Sequence, residues 1–344
     1  MHQNKLCWNR SPVLNEIAKG KDLPANSFQN LLSLIDLPFL QEAYKQVSLS
    51  YNRNVTFHYE DKLHENLMDL EGRLQSGRYK TIPHSSPRSS KENGQNTVLN
   101  KAKFEDLLVQ YIAANILAAL YENVFYDSSY AYQFKKTKQQ AANEFQHFVL
   151  KGPSVIKIDI QAEQARIDRS VLNLLEDKIQ DQQFLNLLRS CLKEGDSGDN
   201  GNRNRVKFND SPLFQILNNI FLHYVIDEWF ENKIKPSMNG FCFMVRYDQE
   251  FTIGCADPRM TKQIIPLLQK RLGSFHVGIR QKSVSVISLS KPTVQKSLFQ
   301  RGSRIIFMEL LFSWQSKEGK WKLRQSPQWK LRPYLKQLWK QAKS

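Results

Sequence analysis

Midway along the chain the hydrophobic pattern changes period, and this restricts the fold more than any other feature. From Lys103 to about Glu122, the residues Leu107, Leu108, Tyr111, Ile112, Asn115, Ile116, Ala119 and Leu120 recur at helical spacing. From Ser154 to Ile160 apolar and polar residues alternate instead, the mark of a half-buried strand, and this strand ends on Asp159. Helical patterns return over 169–179 and 183–192. Ser211-Pro212 opens another helix, with Ser as N-cap and Pro at the first helical position; Leu213, Leu217, Ile220, Phe221, Tyr224 and Val225 share one face. Strands are predicted over 241–247 and 251–254, joined by the polar turn Asp248-Gln249-Glu250, and again over 284–289 and 304–312. Helices interleaved with short, mostly antiparallel strands indicate an α+β fold. Two polar stretches, 81–96 and 195–205, are dense in Gly, Asn, Ser and Pro and read as exposed loops. No repeat of 20 to 50 residues marks a solenoid.

Charge narrows the partners. The chain carries 49 Lys plus Arg against 33 Asp plus Glu, a net charge of +16 over 344 residues. With 41% hydrophobic residues there is enough material for a core, so disorder throughout is excluded, and the excess of base points to a polyanion, most simply nucleic acid. The segment Met1 to Cys7 lacks the apolar run of a secretory signal, and the most apolar window, Tyr111 to Tyr121, is broken by Asn115 and too short to span a bilayer. Cys7, Cys191, Cys242 and Cys255 are scattered, without a CxxC pair, which fits a reducing cytoplasm rather than a disulfide framework or zinc ribbon. The seven His show no metal spacing, no phosphate-loop motif is present, and Cys255 reads as a packing residue.

The last stretch is the most basic. From Lys320 to Ser344 there are eight basic residues, among them Lys320, Lys322, Arg324, Lys330 and Arg332, and no acidic one, interleaved with Trp321, Trp329, Tyr334 and Trp339. This mixture suits phosphate contact plus base stacking, or alternatively an amphipathic helix packed by its tryptophans.

The order of these segments resembles the reverse transcriptases encoded by bacterial group II introns. Leu117 to Phe125 followed by Ser128-Ser129-Tyr130-Ala131-Tyr132-Gln133-Phe134 is similar to that family's stretch ending in Ser-Tyr-Gly-Phe-Arg-Pro. Ser211-Pro212-Leu213 through Trp229 is similar to its Ser-Pro-Leu-Leu-Ala-Asn-Ile-Phe-Leu helix, and Phe312-Ser313-Trp314 through Gly319-Lys320-Trp321 to its palm-exit segment. The resemblance runs from about Phe28 to Lys343. It implies a polymerase right-hand fold of fingers and palm: an extension over 1–27, a fingers-like region over 28–150, a palm-like region over 151–318, and a basic aromatic tail over 319–344 that starts the thumb. Most of the thumb, the maturase domain and any endonuclease are expected to be missing.

Nucleotidyl transfer on such a palm needs three carboxylates around two Mg²⁺ ions roughly 3.5–4 Å apart. Asp159 matches the first. Where the family has Tyr-Ala-Asp-Asp, this chain reads Tyr247-Asp248-Gln249-Glu250, so Gln249 and Glu250 stand at the paired acid positions and Asp248 is one residue out of register. Gln is neutral, Glu is one methylene longer, and a one-residue shift tends to turn a side chain to the other face. Other family positions are also replaced: Glu163-Gln164 stands for Phe-Phe, Arg205-Val206-Lys207-Phe208 for Pro-Gln-Gly-Gly, and Asn96-Thr97-Val98 for Arg-Pro-Leu. Basic residues remain in Lys135, Lys136 and Lys138 at the template motif and in Lys282 of Gln281-Lys282-Ser283.

The resemblance therefore implies a scaffold that holds structured RNA, such as an intron or an RNA/DNA hybrid, without copying it and without a resident cofactor or a membrane. Other readings stay open. One is an RNA-directed DNA polymerase with an altered Mg²⁺ site built from Asp159, Asp248 and Glu250. Others are a protein-interaction module in a larger assembly and the product of a decaying reading frame. Asp159 itself is either a metal ligand or a strand-end carboxylate paired with a basic neighbour, and Asp248 and Glu250 are either ligands or ordinary turn residues.

Overall fold

A computed structural model of the chain describes residues 6, 11–19, 29–49, 59–81, 93–160, 167–195, 211–275, 277, 284–289, 304–317 and 320–327. The chain divides into two compact units that are interleaved in sequence: residues 1–125 with 164–221, and residues 126–163 with 222–344. Residues 126–150, read with the fingers-like region, thus belong to the second unit, and 164–221, read with the palm-like region, to the first.

The first unit is helical among its described residues: α1 (Pro12–Lys19), α2 (Leu37–Ser48), α3 (Leu63–Gln75), α4 (Asn93–Tyr121), α6 (Ile167–Glu176), α7 (Gln182–Gly195) and α8 (Pro212–Leu222). Local chemistry sets several starts. The Asp36 carboxylate accepts the Phe39 amide at 2.9 Å, with Pro38 in the first turn, and Ser211 Oγ accepts the Phe214 amide at 3.2 Å. Asp181 caps α7 through the Phe184 amide at 2.9 Å and also accepts the Leu31 amide at 2.6 Å, 150 positions away. Helix α4 begins ten residues earlier than its apolar period suggests and takes in Asn93 to Asn96, expected to be loop. Its segment Phe104–Tyr121 has the length and apolarity of a membrane-spanning helix, but 94% of it is buried inside the protein. It is a core helix, apolar nearly all round because other elements cover it.

All the described strands lie in the second unit, in two antiparallel sheets. The first has the order β2-β3-β1-β4, from β1 (Ser154–Asp159), β2 (Cys242–Tyr247), β3 (Glu250–Cys255) and β4 (Val284–Ser288). The second has the order β5-β6-β7, from β5 (Arg304–Phe307), β6 (Leu310–Lys317) and β7 (Lys320–Pro327). Helices pack with these sheets, among them two that start on clear caps. α5 (Lys138–Val149) starts in a Thr137–Gln140 capping box, and α9 (Pro258–Ser274) starts on the Asp257 cap. One face of the first sheet supplies Val155, Phe243 and Val245 to a core with Ala142, Phe145 and Val149 of α5 and Ile305, Phe307, Phe312 and Leu323 of the second sheet.

Two expectations are corrected here. The run 304–312 is not one strand: Met308 and Glu309 form a two-residue turn with φ of 53° and 59°. A turn with both central residues left-handed normally announces itself with Asn or Gly, and neither is present. The backbone cost, of order 1–2 kcal/mol per residue, is offset by burial of the Met308 side chain and by the Met308 amide, which donates to Glu250 Oε2 at 2.8 Å. The second correction concerns the tail. Lys320–Pro327 is not a helix but a strand paired along its whole length with β6, so the boundary expected at 319 falls between two strands of one sheet. Trp329, Lys330, Arg332, Tyr334 and Trp339 lie outside the described residues.

Gly254 shows how closely the core is built. A Cβ placed there would lie 2.1 Å from Cε1 of Phe243, its cross-strand partner. We predict that Gly254→Ala lowers stability by roughly 1–3 kcal/mol through overpacking, read as a drop in the urea midpoint, and that Gly254→Ala with Phe243→Leu recovers part of it.

Candidate functional site

The acidic hairpin is built from β1, β2 and β3. Antiparallel pairing sets Asp159 directly opposite Glu250, and Glu250 opposite Tyr247, so these three share one face. Two carboxylates opposite each other repel, and the sheet relieves this with Lys157, two residues before Asp159 on the same face. Lys157 Nζ lies 2.7 Å from Glu250 Oε1, and the other Glu250 oxygen accepts the Met308 amide. Both oxygens of Glu250 are thus used inside the fold. Asp159 is half-buried, and among the described residues no basic neighbour is bonded to it.

Asp248 occupies the first position of the β2–β3 turn at φ 57°, a conformation Asp tolerates. Its carboxylate accepts the Tyr132 hydroxyl, and burial, with Asp248 close by, pushes that hydroxyl's pKa upward. Gln249 follows in the turn, where its carbonyl accepts the Ile160 amide at 3.0 Å. Among the described residues no three His, Cys, Asp or Glu side chains are gathered closely enough to hold a metal ion, and Asp159, Asp248 and Glu250 are all described. The residues present do not fit a pair of Mg²⁺ ions: one ligand position is neutral, one carboxylate is neutralised by Lys157, and one is held by a tyrosine.

Beneath this hairpin is a constellation that inspection of motifs overlooked. Arg246 is 0% exposed, the largest fully buried side chain among the described residues. Its Nε donates to Asp227 Oδ1 at 2.7 Å and its Nη2 to Asp227 Oδ2 at 2.5 Å; Nη2 also donates to Ser129 Oγ at 2.8 Å, and Nη1 to the Asp248 carbonyl at 3.1 Å. Asp227 closes a π-helical turn, His223–Asp227. Burial pushes the Asp227 carboxyl upward, and the Arg246 guanidinium works against that. The Arg246 backbone is held as well: its amide donates to the Ser128 carbonyl at 2.7 Å and its carbonyl accepts the Tyr130 amide at 3.0 Å. The signal was available, since an Arg inside Cys242–Tyr247 and an Asp inside an apolar helical run each demand a buried partner of opposite charge.

The basic residues divide into engaged and open groups. Lys136 turns inward, donating to the carbonyls of Tyr126 and Ser129 at 3.2 and 3.1 Å and pairing with Asp127 at 3.3 Å. Lys138 pairs with Glu309 at 2.7 Å and holds that carboxyl below its ordinary range. Lys135 is exposed. The second sheet provides the open group. Ile305, Phe307, Phe312 and Leu323 are buried on one face, so strand alternation carries Arg304, Lys322 and Arg324 to the other, where all three are exposed. The ladder aligns Arg304 with Ser313 and Ser313 with Arg324, and Lys322 follows roughly 7 Å along its strand. None of the three strands contains an Asp or Glu, and no described residue is ion-paired with these cations. Lys317 and Lys320 are paired positions at the far end of the same hairpin. Lys282, Lys330 and Arg332 lie outside the described residues.

No family model matches the chain, and no curated protein matches it.

Two outcomes follow from the buried groups. Asp227→Ala, which strands the Arg246 charge, is expected to lower stability by about 3–5 kcal/mol, while Arg246→Met with Asp227→Leu retains more stability than either single change. Glu250→Ala leaves a backbone amide and a lysine without acceptors and is expected to cost about 1–3 kcal/mol. Chemical denaturation of purified variants reads both.

Proposed function

We propose that the chain is a reverse-transcriptase-like protein of the group II intron type, with a fingers-and-palm polymerase fold, that binds structured RNA and does not polymerise. The observation that carries the binding reading is the outward face of the β5–β7 sheet, where Arg304, Lys322 and Arg324 stand exposed in strands without an acidic residue. A rigid ladder holds these cations at fixed spacing, so less side-chain and backbone freedom is lost when phosphates are met, and each contact releases counterions. The absence of polymerisation is supported by the ion pair between Lys157 and Glu250 and by the neutral Gln249. A lysine ammonium bonded to Glu250 disfavours a divalent cation there by like-charge repulsion.

Filter binding against a structured RNA over a salt series tests the proposal. Charge reversal of the face, Arg304→Glu with Lys322→Glu and Arg324→Glu, is expected to weaken binding at least tenfold. The slope of log affinity against log salt should fall by about 2–3 as three phosphate contacts are lost. Unchanged affinity and slope would overturn the assignment of this face. Primer extension with Mg²⁺ or Mn²⁺ should yield no product, whereas extension abolished by Asp159→Ala would restore the polymerase reading.

A further inference from the structure

Cys242 opens β2 and Cys255 closes β3, and the two residues are direct partners in the antiparallel ladder. Their sulfurs are 3.3 Å apart. The next rung outward, Phe241 with Ala256, is hydrogen-bonded, the Ala256 amide donating to the Phe241 carbonyl at 3.0 Å. Hydrogen-bonded and non-hydrogen-bonded rungs alternate, so the cysteine rung is non-hydrogen-bonded, the type in which Cα atoms approach to roughly 4.5 Å and side chains lie closest. That separation falls inside the range a disulfide accepts. Both thiols are free and buried, and β2 is the edge strand of its sheet.

We propose that Cys242 and Cys255 are a redox pair that hydrogen peroxide converts to a cross-strand disulfide, reversibly under thiol reductants. The pair lies outside the basic face and independent of the reading of it. A small neutral oxidant suits thiols that are 5% and 0% exposed, because it needs only a local opening at the end of edge strand β2 to reach them. The two sulfurs share a hydrogen bond, which lowers the Cys255 pKa and favours its thiolate. The Cys255 thiolate attacks one peroxide oxygen, the O–O bond breaks, and the departing hydroxide takes up the proton that Cys255 released, leaving Cys255 as a sulfenic acid. The Cys242 sulfur then attacks the sulfenic sulfur, the S–O bond breaks, and the thiol proton leaves with the hydroxyl as water. Two thiols are oxidised and one peroxide is reduced to two waters. The product staples the hairpin whose tip carries Asp248 and Gln249, starting from sulfurs 3.3 Å apart.

The test is peroxide treatment of the full-length protein, alkylation of remaining thiols, and peptide mapping without reductant. The expected result is one linked species joining the tryptic peptides that contain Cys242 and Cys255, lighter than their sum by two hydrogens. It should form equally in Cys191→Ala and revert with a phosphine reductant. The melting temperature should rise on oxidation and fall back on reduction. Cys255→Ser should give no link; should that variant fail to fold, the wild-type map decides alone. Recovery of both peptides unlinked, alkylated or as sulfinic acids, or linkage through Cys7 or Cys191, would overturn the proposal.

Discussion

The bidentate pair between Arg246 and Asp227 is the interaction on which the sheeted unit depends. Neither group touches water, so the desolvation of two charges must be returned almost entirely by short, well-aligned hydrogen bonds. That requirement fixes several parts of the unit at once. The π-helical turn must present Asp227, the loop at Ser128 to Tyr130 must close over both the side chain and the backbone of Arg246, and β2 must keep its register. The same contacts cover what would otherwise be a naked sheet edge, since the Arg246 backbone is satisfied by Ser128 and Tyr130. The fourth donor reaches the Asp248 carbonyl and so holds the base of the hairpin turn.

Above that foundation, the acidic hairpin is organised as structure rather than as a cation cradle. Glu250 lies opposite Asp159, yet its oxygens go to a lysine and to the amide of the strained Met308-Glu309 turn. An ammonium can offset a carboxylate's charge, but it brings one positive charge on a tether where a divalent ion brings two and exchanges its ligands. Lys138, bonded to Glu309, steadies the same turn from α5. Two residues that looked like spare cations or spare acids in a list of motifs therefore hold one tight turn in place.

Much of the fold was legible in particular residues. Alternation through Ser154 to Ile160 gave β1, Ser211-Pro212 gave the start of α8, and the apolar strands around Asp248-Gln249 gave the hairpin. Each of these is a local signal, a period or a cap, that operates within a few residues. The turn at Met308-Glu309 was not legible because its residues lack the usual left-handed preference, and its stabilisation comes from Glu250, 58 positions away. The tail was ambiguous for a related reason. Basic and apolar residues alternating at 320–324 satisfy a strand, and with their neighbours they also approximate a helix face; the ladder offered by β6 decides between them.

By itself, the sequence determined the helices and strands with a clear period or cap, the large positive charge, and the replacement of an acid by neutral Gln249, because composition and short-range periodicity do not wait on folding. Only the tertiary structure decided which charges are spent and which are open. Lys136 is consumed by carbonyls and Lys157 by Glu250, while Arg304, Lys322 and Arg324 remain at the surface of a sheet. The physical reason is that an ion pair's partner is set by long-range packing, and the cost of burying a charge makes that choice nearly all-or-none. Arg246 and Asp227, 19 residues apart, each stand in an apolar segment, but only the fold, by removing both from water, makes them partners.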